Sequence, residues 1–441
     1  MMAALAIVLL AFAWIAAAMW PSWAIVLLVV MFVLEQVLQS SLPVFIAIPS
    51  LANYLVAAAV GISVLRALLA EERPFLAYAT RVWLLSMLIF AWGALSLLWT
   101  PSTVMATDMT REGLPYLVLF MVAAPLLVDG RADLERIFPS LMLFGTVVAL
   151  AVIVNPEFNF RSGRIGLMLT EKVRSNPLAI GELGGVLMIV SALFVVPPGR
   201  PGWSVVRFAA FVVGITLALY SGSRGQALFA GVVAVVFYPL SRPVRSIRAF
   251  VGTTLGLVLL VGLLLVVSSF VLDTELSSRW DTSVLASGTE VRRLNVLDLI
   301  VAFARSPGYW LVGLGWNAFS SVTDASSEPY SHSITVDILC ELGIPMFIVF
   351  VVLLIDVYRG SRALLAGSAD SPASRSAAAT LVALVAYMFL IANKQGHLWG
   401  VCPMFAYFCI MSRIERRDAR LGRTNVVPAP GNPPGVGAAA A

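Results

Sequence analysis

The chain has 441 residues, 60% of them hydrophobic and 12% charged, with a mean hydropathy of +0.93 and a formal net charge of +5. Soluble domains carry about 25% charged residues, so a water-soluble globular fold is excluded. The basic excess lies mostly in short loops and the C-terminal tail, which speaks for membrane topology and against nucleic-acid binding.

Apolar runs of about 18–20 residues recur along the chain, each long enough to cross about 30 Å of hydrocarbon. A membrane β-barrel would show short alternating segments, and none occur. The predicted fold class is all-α, a polytopic membrane helical bundle of 12 or 13 transmembrane helices. It forms a single transmembrane domain over residues 1–424, with one large, partly helical external loop at about 273–332. In chain order the spans fall at roughly 3–19, 22–39, 44–69, 81–99, 114–128, 137–154, 177–196, 206–221, 225–240, 249–271, 333–357, 376–391 and 397–412. Merging the first two around Trp20-Pro21-Ser22 gives the smaller number. The start, MMAALAIVLL, has no basic n-region and does not resemble a cleaved signal peptide. Residues 425–441 (NVVPAPGNPPGVGAAAA) read as a disordered, low-complexity tail.

Arginines orient the bundle. Arg242, Arg245 and Arg248 share one short loop, Arg359, Arg362 and Arg375 another, and Arg413, Arg416, Arg417, Arg420 and Arg423 follow the last span. By the positive-inside rule these segments, including the C-terminus, are cytoplasmic. Alternation then places loops at about 99–113, 155–176, 273–332 and 392–396 outside, together with the Ser221–Arg224 turn.

The informative charges are those on the wrong side. Arg161, Arg164, Lys172 and Arg174 follow the sixth span, Arg279, Arg292, Arg293 and Arg305 lie in the large loop, and Arg224 stands at an outer helix end in LYSGSRGQALF. A snorkelling arginine is the plain reading of Arg224 alone, and pairing with nearby acids is the plain reading of Arg279 and Arg305. Taken together, the external guanidinium groups suit a lipid-linked diphosphate, because the planar fork of arginine meets phosphate bidentately.

Within the large loop, residues 291–304 place Leu294, Leu297, Ile300 and Val301 on one helical stripe. A short amphipathic helix is expected there, lying on the membrane surface or capping the bundle. Ser306-Pro307-Gly308 ends it, and Gly313 and Gly315 allow a tight turn. His332 precedes the next span and is suited to moving a proton near neutral pH. Asp337 and Glu341 share a face of that span. Glu341 lies about 13 Å along a helix from His332, so it is expected in a structural polar pairing. Cys340, Cys402 and Cys409 fall in apolar runs and are expected to be small packing residues. With only two isolated histidines, no metal site or cofactor is expected.

The combination of SGSRG at an outer helix end, RR and GLGWNAF in the large loop, and SHSITVDILCELGIPMFIVF resembles the O-antigen ligase and polymerase superfamily over about residues 205–355. One departure is Ser333, where asparagine commonly follows the histidine. The resemblance implies a metal-independent glycosyltransferase of the bacterial inner membrane. Such an enzyme moves a glycan from an undecaprenyl-diphosphate carrier to an acceptor hydroxyl on the periplasmic face. It implies diphosphate binding by Arg224 and one of Arg292 or Arg293, extended by Arg161, Arg164 and Arg174, with His332 as the catalytic residue. The implied acceptor is a second lipid-linked glycan in a polymerase, the lipid A core in a ligase, or a protein side chain in an O-oligosaccharyltransferase. A polymerase leaves room for a chain-length regulator as partner. A lipid-linked glycan flippase is the alternative of a different class. It would need polar residues near the midplane and broken helices in two related halves, and no internal repeat is visible.

Overall fold

The computed structural model describes residues 2–70, 79–155, 157–161, 164–166, 176–196, 202–242, 246–248, 251–252, 255, 282–323, 330–368 and 371–424. Among these, ten helices are long and apolar enough to cross a membrane. In chain order they are α1 (Met2–Met19), α2 (Pro21–Ser41), α3 (Leu51–Leu69), α4 (Arg81–Leu95, with a 3-10 turn to Leu98), α5 (Thr103–Leu127), α6 (Arg131–Val154), α8 (Gly202–Tyr220), α9 (Arg224–Ser241), α11 (Ile334–Ala366) and α12 (Pro372–Ala392). The shorter apolar α7 (Pro177–Leu193), the loop helix α10 (Thr282–Ala304) and the C-terminal α13 (Cys402–Thr424) complete the set. Most of the span expected at 249–271, and all of the tail at 425–441, lie outside the described residues.

Proline and extended backbone separate the first two helices. Trp20 is extended (φ −131°, ψ 122°) and Pro21 opens α2 at its first position, where the missing N–H costs no intrahelical bond. Phe12 of α1 then meets Trp23 of α2 edge-on at 5.1 Å, so these are two packed helices. Among the ten spans α12 and α2 are the most enclosed, and α12 carries the buried small run Ser376–Ala379. The helices α7 and α8 cross closely at glycines: a Cβ on Gly184 would lie 2.7 Å from the Gly214 carbonyl, and one on Gly214 would lie 2.9 Å from that of Gly184. Small residues at a crossing let backbones approach and gain dispersion contact where lipid removes the hydrophobic drive.

The two ends of the bundle differ in chemistry. At one end Arg131 donates to Asp418 (2.7 Å), to the Gly367 carbonyl (2.6 Å) and to Ser374 (3.3 Å). Arg413 and Arg417 pair with Asp129, Arg81 with Asp356 (3.0 Å), and Arg207 and Arg242 reach the Ala192 carbonyl. The basic segments at 242, 359–375 and 413–424 therefore share one end. The turns at 99–102, 221–223, 313–319, 330–333 and 393–401 occupy the other.

One expectation is corrected. The loop placed at 99–113 is mostly helix, because α5 begins at Thr103 and runs on through Pro115 into a π-helical stretch, Val118–Ala123. Hydropathy alone took the polar first turns of α5 for a loop. The Trp83 indole donates to the Met121 carbonyl at 2.8 Å in the wide turn, a common way of satisfying a backbone group where a helix register shifts. On α10 the stripe Leu294, Leu297, Ile300 and Val301 points away from the bundle, so of the two arrangements expected for this helix the stripe does not serve the capping one and is compatible with the membrane-surface one. Those residues are exposed, and the helix packs through Leu299 and Phe303 against Leu314, Ala318, Phe319 and Cys340.

Candidate functional site

The break in α11 organises this end. Gly343 has φ +87° and ψ 170° inside the helix, a backbone region favourable only to glycine. The carbonyls and amides freed there are taken by the glycine turn, in which Gly313 and Gly315 also have positive φ. Leu314 and Gly315 donate to the Cys340 and Glu341 carbonyls (2.9 Å each), and Ile344 donates to the Trp310 carbonyl (2.9 Å). The Trp92 indole donates to the Leu342 carbonyl at 3.0 Å, and the Trp99 indole to that of Gly313 at 3.0 Å. The buried Glu341 carboxylate accepts the backbone amides of Asn317 (3.0 Å) and Phe319 (3.1 Å). GLGWNAF and ELG are thus the two halves of one clamp, and Glu341 faces that turn.

The clamp precedes the histidine segment. The Ser331 hydroxyl donates to Asp337 Oδ1 and accepts the Ser333 amide at 3.1 Å, which pins both flanks of His332. His332 itself has φ +71°, a left-handed conformation uncommon for a side chain of its size. Its ring meets Tyr330 edge-on at 4.6 Å. Ser333 lacks a side-chain cap of its own. Asn393, at the end of α12, supplies one across the bundle. Its Oδ1 accepts from the Thr335 hydroxyl (2.6 Å), the Thr335 amide (3.3 Å) and the Ser333 hydroxyl (3.3 Å).

The next residue on that loop reaches the arginine turn. Lys394 Nζ donates to Ser223 Oγ at 2.7 Å, and a Cβ on Gly225 would lie 2.4 Å from its stem. Arg224 is the first residue of α9 and half-buried. The buried Ser221 accepts the Ser223 amide at 3.1 Å, and buried Gln226 donates to the Leu178 carbonyl at 2.7 Å. A guanidinium, an ammonium and the positive end of an 18-residue helix therefore meet at one turn, a setting that favours anions. His397 closes the loop, its ring 5.6 Å from Tyr330 and 5.7 Å from Trp316. Residues 393–397 thereby join the Arg224 turn to the His332 turn.

The same loop forms one wall of a cavity of about 330 Å³ between α2, α5, α7 and α13, lined among others by Tyr116, Glu182, Tyr330 and His397. Burial pushes His397 down to about 4. An unfolded histidine titrates near 6.5, so the unfolded chain binds more protons between these values and stability rises with pH there. The contribution is full above about 6.5 and lost as pH falls towards about 4. The melting temperature is expected to drop on acidification through that window, and His397→Gln is expected to flatten part of the slope in a thermal melt.

The other sequence candidates are more dispersed. Arg161 and Arg164 oppose each other on a short antiparallel hairpin, β1 (Asn159–Arg161) and β2 (Arg164–Gly166). Arg174 lies outside the described residues. Arg292 and Arg293 are exposed on α10 and form no ion pair or hydrogen bond among the described residues. Sequence reasoning missed Tyr330, Asn393, Lys394, Gln395 and His397, and began the last span at 397 where α13 starts at Cys402. The run NKQGH between two apolar helices was the available signal. Among the described residues no group of three or more His, Cys, Asp or Glu side chains could hold a metal ion. No protein-family model matches the chain, and no curated protein matches it.

Proposed function

We propose that this multi-pass membrane protein is a glycosyltransferase of the O-antigen ligase and polymerase type. It would transfer a glycan from an undecaprenyl-diphosphate carrier to an acceptor hydroxyl on the periplasmic face of a bacterial inner membrane. The observation that carries the reading is the bridge at 393–397, which holds the Arg224 turn and the His332 turn at one end of the bundle, away from the arginine-rich end. With the basic end cytoplasmic by the positive-inside rule, the site end faces the periplasm.

In this reaction the acceptor oxygen bonds to the anomeric carbon and gives its proton to His332. The bond from that carbon to the diphosphate oxygen breaks, and the carrier diphosphate leaves with the electron pair. Arg224 and Lys394 offset the charge that grows on the leaving group, the role of preorganised cations in phosphate departure. Asp337, through Ser331, fixes the turn that presents the imidazole, and Glu341 fixes the clamp behind it. Arg292 and Arg293 are not needed in this arrangement.

His332→Ala is expected to abolish transfer while leaving binding of the carrier lipid nearly unchanged, measured with a synthetic diphosphate-linked donor on protein in nanodiscs. Loss of binding with residual turnover would assign His332 to substrate positioning instead. A flippase would use a broken helix to line its path. The break at Gly343 is closed by the glycine turn and two tryptophan indoles, which weighs against that alternative.

A further inference from the structure

We propose that the outward face of α10 is a lipid-binding surface. Its aliphatic stripe enters the acyl region of the leaflet at the site end, and Arg292, Arg293 and Arg305 bind phospholipid phosphates there. This surface does not depend on the glycosyltransferase reading, which leaves the Arg292–Arg293 pair unused.

Helix lengths set the depth. At the basic end Arg81 of α4 pairs with Asp356 of α11. Along α11, Gly343 lies thirteen residues from Asp356 and Cys340 sixteen, about 20 Å and about 24 Å at 1.5 Å per residue. Hydrocarbon is about 30 Å thick, so both residues lie in its far half. The helix α10 packs at that level, with Leu299 and Phe303 against Cys340 and Leu314. It therefore sits beside the leaflet and not above it.

The turn that follows α10 has the composition of that depth. Tyr309, Trp310 and Leu311 are exposed, and tyrosine and tryptophan concentrate where hydrocarbon meets headgroups. The Trp310 indole donates to the Phe303 carbonyl at 3.1 Å, and the Trp310 carbonyl accepts the Ile344 amide. Ile344 and Ile348 are exposed on α11. An apolar surface thus continues from a membrane-spanning helix, across the turn, to α10.

On α10 itself, Asn295, Leu299 and Phe303 recur every four residues and are buried. The opposite side presents Leu294, Leu297, Ile300, Val301 and Ala304, all exposed. A contiguous aliphatic stripe of this kind marks a contact surface. Arg292 and Arg293 stand at one end of it and Arg305 at the other. All three are exposed, and their side chains form no ion pair or hydrogen bond among the described residues. Against them are only Glu290 and Asp298, both exposed, so the excess is positive. Long arginine stems lie along apolar surface while the guanidinium forks reach phosphate. Apolar stripe and flanking arginines together are the pattern of an interfacial helix. The same helix touches the site region, because Phe303 shares a cluster with Phe319, whose amide Glu341 accepts.

The test is spin labelling of Leu297→Cys and, separately, Val301→Cys in the full chain, reconstituted in vesicles of phosphatidylethanolamine and phosphatidylglycerol. The native cysteines are buried, and wild type treated with the same label gives the blank. Collision rates are read with oxygen, which partitions into acyl chains, and with a water-soluble nickel chelate. At both positions oxygen is expected to exceed the chelate by about five-fold or more. Arg292→Gln with Arg293→Gln is expected to lower that ratio by about two-fold as the helix rises out of the leaflet. Thermal melts report whether each variant is folded. Labels reached by the chelate as readily as by oxygen would overturn the proposal, since the stripe would face water. Labels reached by neither would also overturn it, since protein, such as a second copy of the chain, would cover the face. A ratio unchanged by the double arginine variant would overturn the phosphate contacts.

Discussion

Arg224→Lys is expected to lower glycan transfer by about 10- to 100-fold, the effect of losing about 1.5–3 kcal/mol of charge-assisted hydrogen bonding, with expression and melting temperature unchanged. Lysine keeps the charge and fits the first turn of α9, where Arg224 is half-buried. What it lacks is the planar fork that binds two phosphate oxygens at once. A second ammonium already stands beside this position, Lys394 on Ser223, so a further point charge adds little geometry. Transfer kinetics on the purified variant with a synthetic diphosphate-linked donor measure the loss. Activity close to wild type would mean that Arg224 is only an interfacial residue anchored at a helix end.

Glu341→Leu is expected to destabilise the protein by about 2–6 kcal/mol, the cost of leaving two buried amide donors without an acceptor. The carboxylate is 2% exposed and accepts the backbone amides of Asn317 and Phe319. Leucine fills the space but leaves both donors unsatisfied in a closed environment, where each costs about 1–3 kcal/mol. Glu341→Gln keeps one acceptor oxygen and is expected to lose less than half as much. The difference tests the clamp itself, because leucine removes both acceptor oxygens and glutamine keeps one. Denaturation of the three proteins in nanodiscs, followed by tryptophan fluorescence, gives the order wild type, Gln, Leu. A leucine variant as stable as the wild type would show that the break at Gly343 is held by the backbone bonds of the glycine turn alone.

The helices were legible wherever an apolar run was bounded by proline or glycine, as at Pro21, Pro177 and Pro372. Pattern failed where polarity and topology part company. The first turns of α5 are polar because they rise towards the site end, and polar residues are as compatible with helix there as with loop. For α10 the periodicity was real but two stripes competed. Leu294, Leu297 and Val301 form one, Leu299 and Phe303 the other, and in a membrane protein the more apolar stripe need not be the one that meets protein. The glycines of the clamp were visible as turn formers, yet their partner, the break at Gly343, lies about thirty residues away and is defined only by tertiary hydrogen bonds. Of the candidate site, Arg224 and His332 stood out because charge and imidazole are rare in this chain. Asn393, Lys394 and His397 did not, because a five-residue polar loop carries no local sign that it spans from one turn to another. Ser333, where the resembled superfamily commonly has asparagine, is met in space by the Asn393 side chain.

The most direct test is transfer of a labelled glycan from an undecaprenyl-diphosphate donor by the purified full chain in nanodiscs, with lipid-linked glycan, lipid A core and peptide acceptors supplied in turn. The expected result is product with one acceptor class, lost in Arg224→Ala and in His332→Ala although both variants melt like the wild type. A wild-type chain that binds the donor and forms product with none of the three acceptors would contradict the proposed activity, as would two variants that turn over at the wild-type rate.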